Sequence, residues 1–370
     1  MHIHKIIFAG EYNNSEILSG PEKVAKRIFN EFTKKQDSLF ITYFQDGAKY
    51  GFIKKLFGFE EVCKVNNSRV VRCGIFRLIL LVLKENPDIV HFINYSRFLL
   101  VFVMLKAIIE YKIVFNLHGV LKLEHILDTP ASKILFVKDI ISEYIILNSC
   151  NRLLVLSEQL LKEVRSNYNI CSDKIVFINN GIDNIFYSTK RTKAENTIEK
   201  AEIVFVTSNL RNKKGLDLLY QLLNATILNI KVHIISNDDI SFSSNSGNVD
   251  VFYYNKMTPD KYAEFLCNKH IFLTTSVSDS FNISAAEAAA AGLIPVLSEE
   301  TGFSNFITDN VNGFIIKNSD IKAIENAIKA ITKDFGRFTA WENNEYLNQL
   351  KWDIVFNDYI KLYNELTVTY

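Results

Sequence analysis

Asp279 and Glu287, separated by seven residues, frame the most chemically suggestive stretch of the chain, HIFLTTSVSDSFNISAAEAAAAGLIPVL at 270–297. His270–Thr275 reads as a strand and Ser276–Ser280 as a polar turn. Ile283–Ala291 reads as a helix closed by Gly292, and Leu293–Leu297 as a second strand. The step from turn to helix leaves free backbone N–H groups and a positive helix end at the C-terminal edge of a strand. Open α/β sheets bind their ligands at that edge. The six alanines of the helix make a thin cylinder that can pack close to a sheet or a ligand. Taken alone, the stretch also fits an ordinary β-α-β unit.

Three further groups of residues could meet a ligand there. Arg211, Lys213 and Lys214 put three cations into four residues before Gly215, a pattern that suits a phosphate and equally a solvated basic turn. His118 ends the run Phe115-Asn116-Leu117-His118-Gly119, where it can donate a hydrogen bond to an oxyanion or serve a structural purpose. Ser19-Gly20 opens a helix, and a glycine there lets the backbone approach an anion; a simple helix cap is the plainer reading. No G-K-[ST] follows, so this is not a P-loop, and it is not a G-x-G-x-x-G fingerprint. The sequence has no H-E-x-x-H, no G-x-S-x-G, no clustered Cys/His set and no D-x-D. Asp238-Asp239 is read as a solvated pair in a loop.

The elements that must position these residues alternate regularly. In the first half, strands are expected at Lys5–Ala9, Ser38–Phe44, Asp88–Ile93, Lys112–Asn116, Arg152–Leu156 and Lys174–Ile178. Helices are expected from Pro21, over Val70–Leu83, Phe98–Ile109, Ser132–Leu147 and Glu158–Asn167. Ser188–Lys200 is polar and reads as a linker. The pattern restarts with strands Glu202–Thr207, Lys231–Ser236, Val251–Tyr254 and Gly313–Ile316. The helices between them are Gly215–Leu223, Pro259–Asn268 and Ile321–Thr332. Asp238–Asp250 reads as an exposed mobile loop, and Glu345–Leu366 as one long final helix anchored by Trp352, Tyr359 and Tyr363. Such alternation, over 370 residues, argues for two doubly wound parallel-sheet domains.

Composition narrows the class. Hydrophobic residues make up 48% and the net charge is +1, which gives no global attraction to nucleic acid. Residues 1–180 hold 24 Lys/Arg against 18 Asp/Glu, whereas the remainder holds 18 against 23. A basic first half suits an anionic membrane surface or a lipid-phosphate acceptor; a chance asymmetry gives the same numbers. The five cysteines are scattered, without C-x-x-C, and read as reduced thiols. No secretory signal opens the chain, and the longest apolar run, Phe98–Met104, is far short of the ~20 residues a bilayer span needs. A cytoplasmic protein, able to touch the inner face of the cell membrane, is the expectation.

The stretch around Asp279 resembles the signature of the GT-B glycosyltransferases of family 4, in which two Glu flank seven residues within a pattern like E-G-F-G…E-A-M-A-x-G-x-P-V. The matching residues are Asp279, Phe281, Asn282, Glu287, Ala288, Gly292, Pro295 and Val296. Asp279 stands where that family has Glu, and Asn282 where it has a second Gly. Ser208-Asn209-Leu210-Arg211-Asn212-Lys213-Lys214-Gly215 is similar to the family's G-R-L…K-G, with Asn209 in place of Arg; Ser19-Gly20 is similar to its Gly-Gly, and His118 to its strand-end His. Val155-Leu156-Ser157, Asn180-Gly181, Gly302 and Asn312-Gly313-Phe314 match more softly, so the resemblance covers nearly the whole chain.

The resemblance implies a GT-B fold: an acceptor-binding domain over 1–185, a nucleotide-sugar-binding domain over 186–345, and a C-terminal helix, 346–370, returning to the first. It implies glycosyl transfer with retention, without a metal. Lys214 and His118 would stabilise the departing diphosphate, and Asp279 would hold donor-sugar hydroxyls. Glu287 would accept from the ribose, Phe281, Asn282 and Ile283 would offer backbone N–H groups, Gly20 and Asn209 would face the diphosphate, and Tyr254 and Asn255 would read the base. The donor expected is a UDP-sugar or GDP-sugar. The acceptor expected is a glycan or lipid-linked glycan of bacterial surface polysaccharide (capsule, O-antigen or exopolysaccharide), with Lys54, Lys55, Arg69 and Arg72 able to face a membrane. The departures at Ser19, Asn209 and Asp279 also fit a degraded partner subunit, and a sugar-nucleotide epimerase shares the fold.

Overall fold

The computed structural model describes residues 5–44, 50–127, 132–188, 198–207, 211–240, 242, 247–317, 319–338 and 345–367. Two separate sheets carry the chain. The first contains β1 (Ile6–Ala9), β2 (Leu39–Tyr43), β3 (Phe59–Val65), β4 (Ser68–Cys73), β5 (Ile89–Phe92), β6 (Lys112–Asn116), β7 (Arg152–Val155) and β8 (Ile175–Phe177), in the spatial order β3-β4-β2-β1-β5-β6-β7-β8. All pairings are parallel except β3 with β4. The second sheet contains β9 (Ala201–Val206), β10 (Ile230–Ile235), β11 (Val249–Tyr254), β12 (Ile271–Thr274), β13 (Ile294–Ser298) and β14 (Phe314–Ile316). Its order is β11-β10-β9-β12-β13-β14, parallel throughout. The two doubly wound sheets are those of a GT-B fold.

Alternate strand residues split each sheet's burial between two faces. On one face of the first sheet Ile7, Val90 and Phe115 pack beneath helices Ile75–Glu85, Leu99–Leu105 and Lys133–Ser149. On the other face Phe8, Phe40 and Val114 meet helices Gly20–Thr33 and Trp352–Thr367. The strand order turns at β1 in the first sheet and at β9 in the second. Both turning points open a crevice at the C-terminal strand ends, where open sheets take ligands.

Two expectations are corrected. Val70–Leu83 is not one helix: Ser68–Cys73 is β4, paired with β2 and with β3, and the helix begins at Ile75. An apolar run can serve a buried strand as well as a helix, and Gly74 separates the two. The final helix is also broken, into Glu345–Asn348 and Trp352–Thr367. Between them the chain crosses to the first domain: the Ile182 N–H donates to the Leu350 carbonyl at 2.7 Å, and Ile182 bridges Lys351. Beyond the crossing, Tyr359 and Tyr363 are fully buried. The Tyr359 hydroxyl lies 2.9 Å from Asn116 Nδ2, and that of Tyr363 lies 2.6 Å from His91 Nδ1. Most of the expected linker, 189–197, and much of the expected loop, 241 and 243–246, lie outside the described residues.

Candidate active site

The two turning points face each other across a cleft of about 330 Å³. Its first wall carries Ser19, Gly20, Lys23, His118 and Glu124; its second carries Lys213, Lys214, Lys256, Asp279 and Phe281–Ser284. The polar turn after β12 is sewn to both domains. Asp279 N–H donates to the Glu300 carbonyl at 3.0 Å, and Gly302 N–H to the Asp279 carbonyl at 2.8 Å. The Ser157 hydroxyl donates to the Ser280 carbonyl at 2.6 Å, and Ser278 to Glu163 at 2.7 Å. Ser280 itself donates to the His118 carbonyl. A Cβ at Gly302 would lie 2.2 Å from the Ser280 oxygen, so only glycine lets the two segments approach.

The departure at Asn282 has a conformational explanation. This residue caps helix Ile283–Ala290 with φ of 66°, and its Oδ1 accepts from the Ala285 N–H at 3.0 Å. After glycine, asparagine is among the residues that enter this left-handed region most readily, and its side chain is also a preferred N-cap. Asn282 thus keeps the backbone path and adds a cap.

Opposite charges meet in pairs. Lys214 Nζ lies 2.6 Å from Asp279 Oδ2. Lys213 Nζ lies 2.5 Å from Glu124 Oε1, across the cleft. Burial works to lower the Lys213 pKa, but Glu124, with Asp279 and Glu163 adding, raises it above the ordinary lysine value. Lys23, one turn into helix Gly20–Thr33, holds both oxygens of Glu287 at 2.9 and 3.2 Å. Burial raises the Glu287 pKa and Lys23 opposes that rise. Lys256 lines the same cleft, within the field of Asp238 and Glu22. Burial lowers its pKa, and Lys23 and Lys214 push the same way while Asp238 opposes them. The cleft therefore gathers four ammonium groups, three of them paired with Glu124, Asp279 and the buried Glu287, an arrangement suited to a ligand carrying negative charge.

His118 lines the cleft, but not as the expected donor. Its Nε2 lies 2.9 Å from the Ile93 carbonyl, which can only accept, so that nitrogen carries the proton. Burial lowers the His118 pKa to about 4, so the ring is neutral and offers Nδ1 as an acceptor. Gly20 borders the cleft with ordinary space: its Cβ would stand 3.5 Å from Ile283. Tyr254 and Asn255 line a second pocket of about 390 Å³ with Asp238 and Asp239, and it is the following Lys256 and Met257 that reach the main cleft. Asn209 lies outside the described residues.

Sequence reading missed Lys23, Glu124 and Lys256. Lys23 pairs with Glu287 and Glu124 with Lys213, each far away in sequence, and Lys256 reaches the cleft only through the fold, so no local spacing announces them. The available signal was a lysine one turn past Ser19-Gly20, on the helix face that carries the glycine.

No curated protein matches the chain by sequence. Among solved structures, a sucrose-phosphate synthase (tll1590) from Thermosynechococcus elongatus is similar with a TM-score of 0.75, at 15% identity, over 98% of this chain and 99% of its own. Alr3699/HepE from Anabaena, in complex with UDP-glucose, gives 0.69 at 14% identity over 98% and 100%. The catalytic domain of starch synthase IV from Arabidopsis thaliana, bound to ADP and acarbose, gives 0.66 at 13% identity over 98% and 99%. These likenesses establish a shared fold. Residues 20–184 match the model described as Glycosyltransferase Family 4, and residues 188–347 that described as Glycosyl transferases group 1. With both of its halves matched in this way, the chain belongs to the GT-B glycosyltransferases.

Proposed function

We propose that this glycosyltransferase moves a sugar, with retention, from a UDP-sugar or GDP-sugar to a glycan or lipid-linked glycan acceptor of surface polysaccharide. The observation that carries the donor reading is the charge arrangement at the strand ends: Lys214 beside Asp279, and Glu287 held by Lys23, around one cleft. HepE and starch synthase IV, which share the fold, are described with UDP-glucose and with ADP, and this supports a nucleotide donor.

In this reading the donor diphosphate takes Lys214 away from Asp279, and Lys213 and Lys256 add positive charge. Asp279, released, accepts from hydroxyls of the donor sugar, and neutral His118 accepts another through Nδ1. Glu287 accepts from the ribose hydroxyls. A carboxylate offers about four lone-pair positions, so Lys23 can remain bound and orient it. The bond from the anomeric carbon to the diphosphate oxygen breaks, and the acceptor oxygen bonds to the same face of that carbon. The acceptor proton passes to the departing phosphate oxygen. The charge that develops there is met by ammonium groups already in place, which is the effective form of electrostatic catalysis. The scheme takes no metal.

The test is turnover with a panel of UDP- and GDP-sugars and a lipid-phosphate-linked glycan acceptor, followed by anomeric analysis of the product. A product with the donor's anomeric configuration supports the reading. Release of an epimerised sugar without acceptor would replace it.

A further inference from the structure

The outward face of the first domain is apolar where a soluble surface is normally polar. Helix Lys133–Ser149 buries Ile146 and Leu147 against the sheet, yet its opposite side presents Ile134, Val137, Ile141 and Tyr144 to solvent, with Ile134 67% exposed. A helix that is apolar on both sides belongs in a large core or against lipid. The short helix Phe52–Phe57 buries no side chain; its Phe52 and Ile53 are 76% and 75% exposed. Phe57 stacks on Phe76 of the neighbouring helix at 4.8 Å. Helices Phe52–Phe57, Ile75–Glu85, Leu99–Leu105, Lys133–Ser149 and Leu121–Leu127 pack side by side in that order, so these exposures lie on a row of neighbouring helices.

The charges on this face are one-sided. Lys54, Arg77, Lys84, Lys133 and Lys138 have no acidic partner among the described residues. Its acids are answered from within: Glu85 by Lys5, Asp139 by Arg97, and Glu143 by the Leu121 N–H and the Tyr168 hydroxyl. Apolar side chains ringed by unanswered lysines are the composition of a surface that lies in the headgroup region of an anionic bilayer. Lysine is depleted in protein–protein interfaces.

We infer that this row of helices docks the enzyme on an anionic lipid bilayer, beside the mouth of the cleft. Helix Leu121–Leu127 makes the connection: Glu124 points into the cleft and reaches Lys213, while Ile126, two residues on, is 65% exposed on the outer face. The inference rests on the proposed lipid-linked acceptor, whose glycan would enter the cleft over that short helix while its lipid stays in the bilayer.

The test is co-sedimentation of the full chain with vesicles of phosphatidylcholine, and of phosphatidylcholine mixed with phosphatidylglycerol. The chain should bind the anionic vesicles, and the double variant Ile134→Glu, Ile141→Glu should bind them about tenfold more weakly or not at all. Ile227→Glu, at a position 77% exposed on the other domain, should bind as the parent does. All three proteins should bind nucleoside diphosphate equally, which separates a failure of docking from a failure of the donor reading. No binding of the parent to anionic vesicles would overturn the inference. So would a parental dimer, seen by light scattering, that the double variant splits, since a second copy would then cover the face.

Discussion

Lys23 and Glu287 lie 264 residues apart in sequence and on opposite domains, yet the Lys23 ammonium stands 2.9 Å from one carboxylate oxygen and 3.2 Å from the other. Glu287 is almost fully buried, and Lys23, which lines the cleft, answers it from the first domain. The pair's geometry ties the ribose-reading group of the proposed donor site to the helix that opens at Gly20, so donor binding and the relation of the two domains are coupled through one ion pair.

Removing Lys23 leaves Glu287 buried without its cation. Lys23→Met should destabilise the protein by about 3 kcal/mol at neutral pH, in the range for breaking a buried pair. Burial raises the Glu287 pKa, and without Lys23 it rises further. An acid whose pKa is raised by folding costs stability as pH climbs from its ordinary value through the raised one. The gap between variant and parent should therefore shrink as pH falls and Glu287 is protonated. Thermal unfolding across pH checks this, and a gap independent of pH would contradict it.

Lys214→Ala should lower turnover by about 10²–10³-fold, the usual loss when one preorganised group facing developing charge is removed. Lys214 is partly exposed and its partner Asp279 borders the open cleft, so the melting temperature should change little. Steady-state kinetics beside a melting curve decide it; turnover at the parental rate would remove Lys214 from the chemistry.

Neutral His118 should contribute no ionisation to turnover near neutral pH. With its pKa at about 4 and its N–H spent on Ile93, it stays an uncharged acceptor from pH 6 upward. A pH–rate profile should lack any limb near 6.5, the ordinary histidine value. A limb there that vanishes in His118→Asn would contradict the assignment.

Glu143, buried beneath helix Leu121–Leu127, has a pKa raised to about 7 by burial, against the hydrogen bonds from Tyr168 and the Leu121 N–H. The folded protein therefore holds an extra proton between about pH 4.5 and 7. Stability should fall through that window, by up to about 1.4 kcal/mol per pH unit. Glu143→Gln should flatten this slope. An unchanged slope in the variant would show that another group titrates.

The second domain was the more legible in sequence. The spacing of Asp279, Glu287, Gly292 and Pro295 locates a turn, a helix start and a following strand, because each depends on local backbone requirements that particular residues meet. Asn282 looked like a departure and proves to serve the same left-handed turn as glycine. The first domain was harder. Val70–Cys73 carries the same apolar residues a helix would, and only its pairing with Leu39–Tyr43, about thirty residues away, makes it a strand. Glu345–Leu366 keeps helical periodicity across a break that the domain crossing imposes at Leu350–Lys351. The cations Lys23 and Lys256 were invisible for a similar reason: their role comes from a cleft closed by tertiary structure, not from any neighbour in sequence.

The most direct measurement is calorimetric titration of UDP and GDP into the full chain and into Glu287→Gln. The expected result is saturable binding of one nucleotide, weakened at least tenfold in the variant, since the ribose would lose its charged acceptor. Binding of neither nucleotide by the folded parent, or equal binding by parent and variant, would contradict a donor site centred on Glu287.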